Sequence, residues 1–419
     1  MRIVIASAAY YPMVNGVAVF AHNLATGLAK QGHEVMVIKP SFDGKHKVLK
    51  RNGITTVSLR SIRLPVYPDQ IHKVPEKKKI FGRSMPQIWY KNGIWIAPAP
   101  FSEVRRALKK FHPEVIHSQT SDPIGVAVAH YAHRYQIPLV TTGHSYPDQI
   151  TGQIKGIKPV KKIADAALAA YLSNYRAQAD YVTMPTEMAI EDLAGKKKRE
   201  FKIPIEALSN GVDLTEFQPG EADKKIYTKY KLSKERPIVL YVGRVDPAKS
   251  IDRVIEAFEQ VLKKIPEAQL VIVGDGVDMG RLKDIVKRQE IEDKVRFLGR
   301  VMMPELAEVY RAGSVFVTAS ETETQGIVLI EAAASGLPIV AVDAGAVKEV
   351  CRDGKNGVLC QPKDVDGIAK GIIKIISNDK ISQKYREESI KISKIHDLNH
   401  TLERFVEIYQ EAIDLKIHE

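Results

Sequence analysis

Short runs of β-branched and aliphatic residues alternate along this chain with longer stretches whose apolar positions recur every three or four residues. Runs that apolar leave neither face for water, which suits parallel strands covered on both sides. The periodic stretches between them suit the crossover helices that such strands need. In the first half the pattern predicts strands over 2–7, 34–39, 54–59, 115–118, 139–142 and 181–183, and a helix over 17–31. In the second half it predicts strands over 238–242, 269–273, 295–298, 315–318 and 339–342, with helices over 251–264, 278–288, 303–312 and 325–335. A turn-rich segment over 209–220 separates the two series. The expected fold is therefore α/β, with doubly wound, Rossmann-like domains over 1–208 and 209–385 and helices over 386–419 that return to brace the first. Open sheets of this kind bind ligands at the carboxyl ends of their strands, so the chemistry is expected in a cleft where two such domains face each other.

Length agrees, because 419 residues exceed what one hydrophobic core usually serves. An apolar content of 44% and a charged content of 27% are those of an ordinary globular protein. No run approaches the roughly 20 apolar residues that span a bilayer. The apolar run at the N-terminus is too short for a signal-peptide core, so the chain is expected in the cytoplasm. Cys351 and Cys360 flank a turn-rich segment with no cluster at metal-ligand spacing, and read as structural thiols. Charge changes the picture more. Residues 1–200 hold 29 Lys and Arg against 14 Asp and Glu, a net of +15, which leaves −3 for the remainder of a chain at +12. The asymmetry points the first half at an anionic surface. A membrane suits better than a nucleic acid, since the basic clusters carry no recognition helix, zinc module or RNA-binding aromatic motif.

Candidate chemistry sits at the ends of the expected strands. Glu323 and Glu331 are eight residues apart around a helix start, so Glu331 rides the helix while Glu323 stays in the loop before it. The free amides around Gly326, Ile327 and Val328 and the helix dipole favour an anion there, as a diphosphate would be; solvated loop glutamates are the alternative. Arg244 and Lys249 lie on one strand-to-helix loop and can hold a diphosphate, Arg244 by its planar fork and Lys249 as a point charge. Gly274-Asp275-Gly276 makes a tight turn that either borders a base pocket or has no ligand role. In the first half, Gly16 after Asn15 lets backbone approach a phosphate or sugar closely. The G-x-G-x-x-G fingerprint is missing, which counts against a nicotinamide enzyme. His117 ends a strand and by position points into the cleft, although an isolated histidine is more often a structural hydrogen-bonder.

In this order, Asn15 with Gly16, the 24–35 stretch ending Gly32-His33-Glu34-Val35, the strand-end His117, Asn210-Gly211-Val212-Asp213, Arg244 with Lys249, and the Glu323 and Glu331 pair resemble the retaining glycosyltransferases of family 4, which have the GT-B fold. The resemblance covers nearly the whole chain. It implies that Arg244 and Lys249 hold the nucleotide diphosphate, that Glu331 hydrogen-bonds the ribose and that Glu323 contacts the donor sugar. Gly16, Thr324, Gln325, Gly326, Ile327 and Val328 would border the donor. His117 would lie near the sugar's primary hydroxyl, completing a catalytic set with Glu323, Arg244 and Lys249. Retention without a placed nucleophile implies front-face attack, in which the departing diphosphate accepts the acceptor's proton and fixed cations stabilise it. Neither a cofactor nor a metal is expected, and no Asp-x-Asp motif occurs in a plausible donor loop.

The acceptor side resembles the enzymes that glycosylate diacylglycerol or phosphatidylinositol, through residues 12–17, 117–120, 321–326 and 142–148. Asn15, Gln119 and His144 are the acceptor-side candidates, though 142–148 departs from the commoner Tyr-His-Thr form. Basic clusters over 73–83 and 153–163 mix cations with apolar residues, as a headgroup surface requires. Phe101, Val104, Leu108 and Phe111 form a stripe that packs on the sheet, opposite Arg105, Arg106, Lys109 and Lys110. Residues 196–199 could equally be a solvated loop. The reading is a transferase that moves a hexose, glucose from UDP-glucose, to a lipid hydroxyl such as that of diacylglycerol. It would work at the inner face of the cell membrane, held peripherally by its basic first domain. GDP-mannose as donor, a soluble or polysaccharide acceptor, and a silent sugar-nucleotide-binding scaffold are the alternatives.

Overall fold

Residues 1–11, 13, 15–64, 71–72, 79–80, 83–84, 90–91, 94–144, 158–194 and 203–418 are described by a computed structural model of the chain. They fall into two units, one of Met1–Lys78, Met85–Asn210 and Asn399–Glu419, the other of Lys79–Ser84 and Gly211–Leu398.

The first unit begins with β1 (Arg2–Ala6), whose Ile3, Val4, Ile5 and Ala6 are wholly buried. Each large aliphatic residue buried this way stabilises the fold by about 1.5–3 kcal/mol. Helix α1 (Gly16–Lys30) follows and turns Phe20, Leu24 and Leu28 inward. Next come β2 (Glu34–Pro40), β3 (Lys47–Arg51) and β4 (Ile54–Leu59), then the short pair β5 (Ile62–Leu64) and β6 (Ile94–Ile96). Helix α2 (Phe101–Phe111), β7 (Val115–Ser118), α3 (Pro123–Arg134), β8 (Leu139–Thr142), α4 (Lys158–Arg176), β9 (Tyr181–Met184), α5 (Glu187–Ala194) and β10 (Ile205–Ala207) complete the series. The eight-stranded sheet runs β10-β9-β8-β7-β1-β2-β4-β3 and is parallel except for β3, an antiparallel edge strand. Every residue of β3 is exposed, so its apolar pattern carried no signal.

The second unit holds α6 (Lys224–Tyr230), β11 (Ile238–Val242), α7 (Ile251–Leu262), β12 (Gln269–Val273), α8 (Met279–Arg288), β13 (Val295–Gly299) and α9 (Glu305–Ala312). After these come β14 (Val315–Thr318), α10 (Ile327–Ala334), β15 (Ile339–Val342), α11 (Val347–Val350), β16 (Gly357–Cys360), α12 (Val365–Ile376) and α13 (Asp379–Ser393). Its all-parallel sheet runs β13-β12-β11-β14-β15-β16, the doubly wound order in which direction reverses between β11 and β14. The Cys-flanked segment thus yields an edge strand, β16, that the sequence pattern did not show. Cys351 and Cys360 are free and buried thiols, and burial pushes Cys360 up to about 11.

The last helix, α14 (Leu398–His418), belongs from Asn399 onward to the first unit. It buries Leu402, Phe405, Ile408, Tyr409 and Ala412 at helical spacing, and ion pairs of Arg404 with Glu206 at 2.7 Å and Lys416 with Asp180 at 2.9 Å tie it down. Leu402 lies where Gly27 of α1 has no side chain; a Cβ there would be 2.3 Å from Leu402 Cδ1. The return begins later than the expected residue 386, which falls inside α13. That helix stays with the second unit because Ser389 donates to the Leu337 carbonyl at 2.8 Å and receives the Asn356 amide at 3.2 Å.

Candidate active site

In the second unit the segments that follow β11 and β14 open side by side at the point where strand order reverses, the place where such sheets bind ligands. A single 3-10 turn over Pro247–Lys249 brings Lys249 back toward the loop after β14. There its Nζ lies 2.6 Å from Glu323 Oε1 and 3.4 Å from Ser320 Oγ, with the Lys249 and Glu323 side chains only 14% and 15% exposed. Burial would raise the Glu323 pKa, but the charge and hydrogen bond of Lys249, the Ser320 hydroxyl and the Arg244 charge outweigh it, so this carboxyl is held below its ordinary value. Arg244 is more than half exposed and pairs with Asp246 at 3.1 Å. Each expected phosphate-binding cation therefore has a carboxylate partner, a feature the spacing of Arg244 and Lys249 did not announce.

Backbone contacts fix this loop. Val245 donates its amide to the Asp275 carbonyl at 3.0 Å, and Asp278 donates to the Val245 carbonyl at 3.1 Å. A Cβ on Gly274 would lie 1.8 Å from the Gly243 oxygen, and one on Gly276 would lie 2.0 Å from the Val245 oxygen. The Gly-Asp-Gly turn thus has a structural reason of its own. Gly345, at φ +55°, serves Glu323 in the same way: a Cβ there would sit 2.7 Å from the Glu323 carbonyl oxygen, to which the Ala346 amide donates at 3.1 Å.

Gly326 caps α10 in the left-handed region, at φ +75°, which presents the Ile327 and Val328 amides in a first turn that offers them no intrahelical acceptor. Thr324 is half-buried at this start, whereas Gln325, expected beside the donor, is only 3% exposed and turned inward. Glu331 accepts a hydrogen bond from the Tyr310 hydroxyl at 2.7 Å, and burial pushes its carboxyl up to about 7. Ser320, Tyr310 and Gly345 were not singled out from the sequence. Tyr310 reads there as an ordinary apolar position of α9.

The first unit repeats the topology with different chemistry. The loops after β1 and β7 meet at its reversal point, where Ala8 donates its amide to Thr120 Oγ1 at 2.9 Å and Gln119 donates to the Ala6 carbonyl at 2.8 Å. Gly16 is the first residue of α1, and Asn15 caps that helix by accepting the Ala18 amide at 2.9 Å. Asn15 therefore has a folding role of its own. His117 departs from expectation. Its ring is wholly buried under α14, with centroids 5.0 Å from Phe405 and 5.6 Å from Tyr409. Both nitrogens are engaged, Nδ1 with Tyr409 Oη and Nε2 with Thr142 Oγ1, each at 2.7 Å. All four residues of β7 are buried, so a strand-end position did not make this side chain accessible. His144, just beyond β8, is a half-buried residue whose ring packs 5.3 Å from the Phe20 ring and whose Nε2 lies 2.6 Å from the buried Gln119 Oε1.

On α2, Val104 and Leu108 are buried while Arg105, Arg106, Lys109 and Lys110 are exposed; Phe101, expected on the packed stripe, is 41% exposed. The basic clusters over 73–83, 153–163 and 196–199 lie outside the described residues, apart from the backbone of 79–80, 83–84 and 158–163. Residues 12, 14 and 145–148 lie outside them as well. Among the described residues no helix is long and apolar enough to cross a membrane.

Two Rossmann-like parallel sheets with a terminal helix define the GT-B class of glycosyltransferases. Over 98% of both chains the structure superposes on a sucrose-phosphate synthase from Thermosynechococcus elongatus, with a TM-score of 0.75 at 19% identity. Residues 14–216 match the family described as Glycosyltransferase Family 4, residues 222–392 match Glycosyl transferases group 1, and the chain belongs to these glycosyltransferases as a hexosyltransferase. It is 29% identical over 349 residues to an alpha-monoglucosyldiacylglycerol synthase of Streptococcus pneumoniae, covering 81% of this chain and 71% of that one. It is also 29% identical over 370 residues to a GDP-mannose-dependent alpha-mannosyltransferase of Mycolicibacterium smegmatis, covering 88% and 85%.

Proposed function

We propose that this chain transfers glucose from UDP-glucose, with retention of configuration, to a membrane lipid hydroxyl such as that of diacylglycerol. The observation that carries the transfer chemistry is the Lys249 and Glu323 pair at the reversal point of the second sheet, beside the N-terminus of α10. A Lys ammonium has three donors, so it can keep Glu323 while receiving a diphosphate oxygen. Arg244 and the Ile327 and Val328 amides add fixed positive potential where charge grows on the leaving group, which is the role a metal would otherwise have. Glu323, held ionised, orients the sugar hydroxyls, and Glu331 accepts from the ribose. The diphosphate takes the acceptor's proton as the sugar carbon changes partners on one face.

A lipid acceptor and a glucose donor are supported by the likeness to the monoglucosyldiacylglycerol synthase. Attachment to an anionic membrane is supported by the basic first unit, including the exposed cations of α2. The test incubates the protein with UDP-glucose or GDP-mannose, with and without liposomes containing diacylglycerol, and measures nucleoside diphosphate released and glycolipid formed. UDP release that requires the liposomes supports the proposal. Release only from GDP-mannose moves the donor, release without lipid moves the acceptor, and release from neither leaves a silent binding protein.

A further inference from the structure

Strand β3 combines an open edge, exposed aliphatic side chains and a run of cations. It ends the eight-stranded sheet, so among the described residues its outer edge pairs with no further strand. It holds two adjacent large aliphatic residues in water, Val48 at 58% and Leu49 at 62% exposure. It sets them between exposed cations, Lys45 and Lys47 on one side and Lys50 and Arg51 on the other. Lysines on an edge strand ordinarily guard it against pairing with another chain. That purpose accounts for the cations but not for Val48 and Leu49, where polar residues would guard the edge better.

We propose that the β3 edge is a docking surface for an anionic membrane, with Val48 and Leu49 entering the boundary between headgroups and acyl chains while the cations meet lipid phosphates. Apolar side chains flanked by Lys and Arg are what binding at that boundary requires. Adjacent strand residues point to opposite faces, so a strand lying edge-on lets both aliphatics reach the same plane. Headgroup oxygens would there accept from the amides of the outer edge. The surface continues into α2. Glu103, in the first turn of that helix, accepts the Arg60 amide just after β4 at 3.1 Å and lies 3.4 Å from Nδ1 of His46, just before β3. The exposed cations of α2 thus belong to an element anchored beside the strand. A second copy of this chain fits the edge less well. Antiparallel pairing of two β3 strands about Leu49 would set Lys47 opposite Arg51 twice, and like charges directly opposed destabilise a sheet. The inference rests on the membrane-lipid reading of the function and names a face for it.

The test uses the full chain with vesicles of phosphatidylglycerol or of phosphatidylcholine. In sedimentation the parent should bind phosphatidylglycerol and bind phosphatidylcholine about 10-fold or more weakly. Leu49→Ser and Val48→Ser should each weaken binding about 5- to 10-fold, and Lys50→Ala about fivefold. All of β3 is exposed, so the urea midpoint should barely move in these variants. Depth is the second measurement. Cys351 and Cys360 are buried, so an environment-sensitive fluorophore can be attached selectively to Leu49→Cys, with Ile395→Cys, at an exposed position of the second unit, as the control. Emission from position 49 should shift to the blue with phosphatidylglycerol vesicles, and emission from position 395 should not. Binding by the parent that none of the three substitutions weakens, or a shift at 49 no larger than at 395, overturns the β3 surface and leaves the membrane reading standing. A parent that binds neither vesicle overturns both. A parent dimer in lipid-free solution that Leu49→Ser dissolves assigns the edge to a second copy and overturns the proposal as well.

Discussion

The two units share a topology and differ in what they place at its reversal point. In the second, charges meet: Lys249 with Glu323, Arg244 with Asp246, and Arg253 with Glu321. In the first, the side chains near the same point form a neutral network of His117, Gln119, His144 and Thr142. The contrast follows the chemistry each half would serve. A diphosphate needs fixed positive charge, and that charge is stable half-buried only with carboxylates beside it. Neutral imidazoles and amides can be buried outright, provided every donor finds an acceptor. One topology therefore supports an ionic site and a hydrogen-bonded one, and the difference lies in a few residues at strand ends.

Removing a charge from the second unit should have the largest effect. Lys249→Ala deprives Glu323 of its main partner, so burial is opposed only by the Ser320 hydroxyl and the Arg244 charge and the carboxyl's pKa would move upward. Nucleoside diphosphate release should fall about 10²–10³-fold, the usual loss when one group stabilising a transition state is removed. The fold should persist by circular dichroism. Turnover within about threefold of the parent would remove the assigned role of this pair. A geometric change comes next. Gly274→Ala would set a methyl 1.8 Å from the Gly243 oxygen, at φ +134°, where the opposing atom is backbone and cannot rotate away. A loss of about 2–4 kcal/mol in denaturant unfolding is expected. Full parental stability would show that the loops after β11 and β12 are not held as described.

Glu331 sharpens the comparison by pH. Its carboxyl is raised from 4.5 to about 7, first by burial and then by the Glu216 charge, against the Tyr310 hydrogen bond. Between those values the folded protein keeps a proton that the unfolded chain has lost, so this group's contribution to stability is present below pH 4.5 and fades as pH rises toward 7. The change amounts to about 3 kcal/mol at most. Glu331→Gln should flatten that part of the stability profile, measured by urea titration at several pH values; an unchanged slope would assign it elsewhere. Ribose hydroxyls donating to the ionised form would lower the raised value, so donor binding should strengthen as pH rises through 7.

The strands were legible wherever burial on both sides forced continuous apolar runs, as in β1, β11 and β15. They were not legible at the edges, where β3 carries Lys47, Lys50 and Arg51 and β16 hides between two cysteines and a turn. Lys249 and Glu323 could be read as site candidates because charged residues stand out in loops after apolar strands. Their direct pairing could not, since it depends on a 3-10 turn and on two loops 74 residues apart. His117 shows the same limit more sharply. Its strand-end position suggested access, and the partner that closes it, Tyr409, lies 292 residues further on. The spacing of Leu402, Phe405, Tyr409 and Ala412 announces a buried helix face but not what that face covers.

The smallest expected effect belongs to the surface of the first unit, and it tests whether charge there serves a purpose distinct from the charge in the second. Lys109 is exposed on α2, alongside Arg105, Arg106 and Lys110, while Val104 and Leu108 anchor the opposite face. Because the anchoring face is untouched, Lys109→Ala should leave stability within about 0.5 kcal/mol of the parent. If this face meets an anionic leaflet, each cation contributes about 1 kcal/mol, so sedimentation with anionic vesicles should weaken about fivefold. Added salt should weaken the parent further, since such attraction is screened within a Debye length. Binding that ignores both the substitution and salt would show that α2 does not face the membrane. Turnover in detergent-dispersed acceptor should meanwhile stay near the parental rate, because Lys109 serves the surface where the substrate resides and Lys249 serves the bond that breaks.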